Sequence, residues 1–115
     1  MGKTIFSKII DREIPANIIF ESDTILAFQD IKPQAPLHVL IIPKIEIPKV
    51  SDIKGKEHAH LLGEMFDAAN YIAKDLGVSD DGFRLVFNCG PNGGQDVFHL
   101  HMHLLGGRQM KWPPG

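Results

Sequence analysis

Apolar and polar positions alternate along much of the chain, and the period of alternation changes three times. Ile5, Phe6, Ile9 and Ile10 share one face at helical spacing, with Thr4 in place to cap them, and Pro15 is expected to end this short helix. Ile18 to Glu21, Ile25 to Asp30 and His38 to Pro43 then read as strands. They are rich in β-branched residues and divided by turn formers such as Ser22-Asp23 and Pro33-Gln34-Ala35-Pro36. The connections are short, which favours antiparallel neighbours. Ile45 to Gly55 is irregular, broken by Pro48. A long helix follows over Glu57 to Leu76. Its stripe of Leu61, Leu62, Met65, Phe66, Ala69, Ile72, Ala73 and Leu76 is expected to face the core, and Gly77 sits where a left-handed cap belongs. His58 and His60, near its start, are expected in solvent.

Two further strands are expected, Phe83 to Cys89 and Val97 to Leu105, with the loop Gly90-Pro91-Asn92-Gly93-Gly94-Gln95 between them. Arg108 to Gly115 forms a tail holding the one tryptophan, Trp112. No internal repeat or linker divides the chain, so residues 1–115 read as one α+β domain built on an antiparallel sheet.

Composition narrows the functional classes. With 43% hydrophobic and 23% charged residues, the chain is of ordinary globular type. The net charge is −2 and no basic stripe follows any element, which argues against a nucleic-acid backbone as partner. No segment has the length of a membrane span, and the N-terminus lacks the apolar run of a signal peptide. Cys89 is the single cysteine, so no intrachain disulfide can form. A cytoplasmic protein acting on a small phosphorylated ligand fits these bounds. Cys89 itself reads more readily as a small apolar strand residue than as a nucleophile.

The sharpest chemical signal is His99-Leu100-His101-Met102-His103. In a strand, alternate side chains share a face about 7 Å apart, so the three imidazoles would line one side. Gly93-Gly94-Gln95 just upstream offers backbone that can approach an anion closely. Three readings fit: a histidine nucleophile attacking phosphorus, a metal site, or a hydrogen-bonded structural face. Three collinear imidazoles converge poorly on one ion, and no acidic or thiol ligand set is obvious beside them.

Three blocks in order resemble the histidine-triad family, and within it the Hint branch of nucleoside phosphoramidases. They are IFSKIIDREIPANIIFESD (Ile5 to Asp23), AFQDIKPQAPLHVLIIPK (Ala27 to Lys44) and GGQDVFHLHMHLLGGRQMKWPPG (Gly93 to Gly115), the last containing the motif HLHMHLL. The resemblance implies a five-stranded antiparallel sheet with one long and one short helix, and a homodimer joining two such sheets. It also implies a purine nucleoside 5′-phosphoramidate or acyl-adenylate as substrate, hydrolysis through a nucleotidyl-histidine, and no metal or other cofactor. On the same grounds, His101 is the nucleophile, His99 and His103 flank it, and His38 is a fourth active-site histidine. Asp30, followed by Ile31, holds the ribose hydroxyls, while Phe6, Ile9, Ile14 and Phe28 form the slot for the base. Asn88 and the run Gly94-Gln95-Asp96-Val97 lie near the phosphate, and Trp112 reaches a partner subunit's site. One position departs from the pattern: Asp96 stands where the branch usually carries Ser or Thr. A hydroxyl donates a hydrogen bond, whereas an ionised carboxylate only accepts. That change keeps open an alternative, a protein that binds a nucleotide without turning it over.

Overall fold

The computed structural model describes residues 3–115. Five antiparallel strands form one sheet in the order β1-β2-β3-β5-β4: β1 Ile18–Glu21, β2 Ile25–Gln29, β3 Leu37–Pro43, β4 Phe83–Val86 and β5 Met102–Gly106. A short helix, α1 (Ile5–Ile10), and a long one, α2 (Gly55–Asp75), complete the fold. Among the described residues, no helix is long and apolar enough to cross a membrane.

The two faces of the sheet have different partners. On one, Ile25, Ala27, Val39, Ile41, Met102 and Leu104 pack with Met65, Ala69, Ile72 and Ala73 of α2. On the other, Leu26, Phe28, Leu40 and Ile42 pack with Phe6 and Ile9 of α1. Strands β2 and β3 are therefore apolar at successive positions, because both faces are covered. Register then carries the chemistry. Leu40 pairs with His103 and His38 with Leu105, so His38 and His103 emerge on the α1 face. Met102 and Leu104 point to the α2 core.

Thr4 caps α1 as expected, its hydroxyl accepting from the Ser7 N–H. The helix stops earlier than Pro15, at Ile10, because Arg12 adopts a left-handed φ of 63°. Gly77, at φ 78°, closes α2: its N–H bonds to the Lys74 carbonyl, and the Val78 N–H to that of Ala73. The α2 stripe is narrower than the sequence suggests. Phe66 and Leu76 are substantially exposed, while Ala68 is buried in their stead. His60 is in solvent, but His58 is not: its Nδ1 accepts from the Lys54 N–H and satisfies one free donor at the helix start.

Both C-terminal strands are shorter than the expected spans. β4 ends at Val86, which leaves half-buried Cys89 in a loop, its thiol donating to the Ser51 hydroxyl at 3.7 Å. β5 begins only at Met102, so His99 and His101 precede the ladder. Their segment is held by other means. The Leu100 N–H bonds to the Ile47 carbonyl, and the buried Gln95 side chain braces the preceding loop. Gln95 accepts from the Gly90 N–H and donates to the Pro48 and Val97 carbonyls. Gly93 is required beneath it, because a Cβ there would fall 2.4 Å from the Cys89 carbonyl oxygen.

Candidate active site

A cleft of about 530 Å³ opens between α1, the 14–16 segment and the α1 face of the sheet. One end is apolar, formed by Phe6, Ile9, Ile14 and Phe28 together with Ile5 and Leu40. The other end is polar, with Asp30, His38, Asp96, His101 and His103. Ile31, Lys32 and Val97 also line it, and Ile31 is 88% exposed at the mouth. The structure thus brings together most of the residues singled out in the sequence. His99, Asn88, Gly94, Gln95 and Trp112 are not among the lining residues. Gln95 is turned inward as the loop brace, and Trp112 is 83% exposed on the tail.

The three histidines of the motif have three different environments. His101 is buried against the edge of Phe6, with ring centroids 5.0 Å apart. Its Nδ1 lies 2.7 Å from the His99 backbone carbonyl oxygen. A carbonyl only accepts, so Nδ1 must carry the proton, and neutral His101 keeps its lone pair on Nε2. Asp96 Oδ1 is 4.0 Å from that Nε2.

His99 has the opposite tautomer. Its Nε2 lies 2.7 Å from the Pro43 carbonyl oxygen and must donate to it. Burial pushes its pKa down, against the pull of that carbonyl and of Glu46, and Nδ1 has no partner among the described residues. His99 stands outside the cleft, and its ring and carbonyl fix the segment that presents His101.

His103 forms a pair with His38 across the β3–β5 ladder, at 2.9 Å between His38 Nε2 and His103 Nδ1. The Gln34 N–H donates to His38 Nδ1, so a neutral His38 can donate only through Nε2. His103 then accepts at Nδ1 and carries its own proton on Nε2. That Nε2 is buried and unpartnered among the described residues, a donor waiting for an acceptor in the cleft. Asp30 completes the chain, with Oδ1 accepting from the Lys32 N–H at 2.8 Å and Oδ2 3.5 Å from His38 Nε2. In the sequence, the turn Pro33-Gln34-Ala35-Pro36 is the one trace of this Gln34 N–H donor.

Asp30, His38 and His103 bring ligand atoms within 4.8 Å of one another. His38 Nε2 and His103 Nδ1 face each other through one proton, and a cation would have to displace it. Among the described residues three protein donors converge there, one fewer than a structural zinc site uses and as many as a catalytic one.

The sequence matches the HIT domain family over residues 11–110. The chain belongs to the HIT domain family. It is 54% identical over 108 residues to the purine nucleoside phosphoramidase of Escherichia coli strain K12, covering 94% of this chain and 90% of that protein. It is 50% identical over 113 residues to a 14 kDa zinc-binding protein of Brassica juncea, covering 97% of this chain and 99% of that one. A crystal structure of a HIT family hydrolase from Legionella pneumophila superposes with a TM-score of 0.96 at 50% identity, covering 98% of this chain and 100% of that one. The five-stranded sheet with its two helices is therefore the HIT fold.

Burying neutral histidines makes stability depend on pH in a defined direction. Burial, reinforced by His101 and His38, pushes the His103 pKa down to about 4; burial also lowers His38 and His99. An unfolded chain takes up a proton at each histidine near pH 6.5. Between about 6.5 and 4 the unfolded state therefore binds protons that the folded state refuses, and stability falls as the pH falls. His103 alone should cost about 2 kcal/mol at pH 5 relative to pH 8. Urea unfolding at the two pH values should show this loss, and a smaller one in His103→Gln. An equal loss in both proteins would place the titration elsewhere.

Proposed function

We propose that this protein is a hydrolase of purine nucleoside 5′-phosphoramidates, with acyl-adenylates in the same class, and that His101 Nε2 is its nucleophile. The observation that carries this reading is the bond from His101 Nδ1–H to the His99 carbonyl. It leaves a bare imidazole nitrogen in a cleft whose other end is lined by apolar side chains. The similarity to the E. coli purine nucleoside phosphoramidase supports the choice of substrate.

The base lies between Phe6, Ile9, Ile14 and Phe28, and Asp30, followed by Ile31, accepts from the ribose hydroxyls. As the bond between His101 Nε2 and phosphorus forms, the P–N bond breaks, and the amine takes a proton from His103 Nε2. The His38–His103 pair must enter this step with one proton beyond its neutral complement, and because both Nδ1 atoms already accept hydrogen bonds, taking it up requires the 2.9 Å contact between the rings to open. Burial resists that proton, and the bound phosphoryl anion and Asp30 favour it. Water next attacks phosphorus and releases the nucleoside monophosphate. Its spare proton returns to the pair, and His101 is regenerated neutral. Every group in this sequence is supplied by the chain, substrate or water, and we assign no role to a metal. The lone, partly exposed thiol of Cys89 fits a cytoplasmic setting.

A nucleotide-binding protein without turnover is the second reading, favoured by the carboxylate 4.0 Å from His101 Nε2. One assay separates the two. EDTA-treated protein should hydrolyse a fluorogenic adenosine phosphoramidate, and His101→Asn should lower turnover by about a thousandfold or more. Binding of adenosine monophosphate should change only a few-fold. Retained turnover in His101→Asn would refute the nucleophile, and dependence on added Zn²⁺ would restore the metal reading.

We further propose a homodimer. Strand β4 is a sheet edge, paired only with β5, and open edges favour pairing with another chain. Phe66, Tyr71 and Trp112 add exposed apolar surface. Light scattering at micromolar concentration should report twice 12.8 kDa; a monomer there would contradict the assembly.

A further inference from the structure

The polar end of the cleft has an unusual balance of charge for a site that receives a phosphoryl anion. Its lining carries two carboxylates, Asp30 and Asp96, against one ammonium, Lys32. In the empty cleft His38 and His103 do not correct this, since burial lowers the pKa of both. The two carboxylates are also placed differently. Asp30 is tied to the Lys32 N–H and stands beside His38. The Asp96 side chain is 85% exposed, and among the described residues no lysine or arginine lies within 4.0 Å of it. Its one charged or chargeable neighbour at that range is His101 Nε2, the attacking atom itself.

Geometry assigns Asp96 to one side of the substrate. In the proposed function the nucleoside lies at the apolar end, under α1. Whatever else phosphorus carries must extend toward the open end of the cleft. Asp96 is the exposed acid of the cleft lining, 4.0 Å from His101 Nε2 and so beside whatever leaves from phosphorus. A carboxylate there disfavours the phosphoryl anion through like-charge repulsion, and the penalty is offset when the departing amine brings a cation of its own.

Building on the phosphoramidase reading, we infer that Asp96 forms a subsite for a positively charged leaving group. The preferred substrates are nucleoside phosphoramidates whose amine carries a second ammonium or guanidinium a few bonds from the scissile nitrogen. Asp96 pairs with that group through solvent-exposed contact, so its effect is one of selection. It takes no part in the bond-making steps.

The test uses two adenosine 5′-phosphoramidates of equal length, one of n-pentylamine and one of 1,4-diaminobutane linked through a single nitrogen. They differ by a methyl group against an ammonium. At low ionic strength the wild-type kcat/KM should favour the diamine compound by about fivefold, the scale of one exposed ion pair. The preference should shrink in 0.5 M salt. Asp96→Asn should bring the ratio close to one, partly by raising kcat/KM for the pentylamine compound, and Asp96→Glu should keep most of the preference. A ratio unchanged in Asp96→Asn, or equal rates in the wild type, overturns the subsite and leaves the phosphoramidase reading intact. Hydrolysis of neither compound by the wild type overturns that reading and the subsite with it.

Discussion

The bond between the His101 ring and the His99 carbonyl is the constraint on which the rest of the site depends. A neutral imidazole in solution exchanges its proton between two nitrogens. Here a buried carbonyl 2.7 Å from Nδ1 removes the choice, since moving the proton to Nε2 would leave two lone pairs facing each other. That carbonyl is itself held in place by the His99 ring on Pro43 and by the Leu100 N–H on Ile47. The segment therefore needs a fixed end to β3 and a braced loop at Gln95. The sheet supplies the first, and the glycine-rich turn the second.

The remaining imidazoles obey the same logic with the opposite result. The Gln34 N–H sets His38, His38 sets His103, and His103 presents a proton at Nε2. One motif thus offers a lone pair from His101 and a proton from His103, with ring centroids 5.0 Å apart. Two roles arise from one residue type because the backbone partners differ. Burial lowers the pKa of His38 and His103, which makes the pair's extra proton conditional on an anion in the cleft.

Much of this was legible from residue pattern. The β-branched runs at 18–21, 25–30 and 38–43 and the 3.6-period stretch at 57–76 fall within two residues of β1, β2, β3 and α2. Alternation in the histidine motif separated His101 and His103 from the apolar Met102 and Leu104. What pattern could not carry were interactions remote in sequence. The spacing of His99, His101 and His103 suggests three equivalent groups on one strand, yet β5 begins at Met102 and His99 turns away to Pro43. Gln95, beside two glycines, resembled a ligand contact, but its amide is spent on three backbone groups. Phe66 and Leu76 fit the helical stripe, but the helix rotates them beyond the sheet's reach. In each case periodicity gave the direction of a side chain, and the tertiary partner decided its use.

The tautomers are directly observable. A long-range ¹H–¹⁵N correlation spectrum of the histidine rings, recorded near pH 7.5 and assigned with single His→Gln variants, reports which nitrogen of each ring is protonated. His101 should be protonated on Nδ1, and His99 and His103 on Nε2. A His101 ring found protonated on Nε2 would leave no lone pair facing the cleft, and would contradict the claim that this histidine is built to attack.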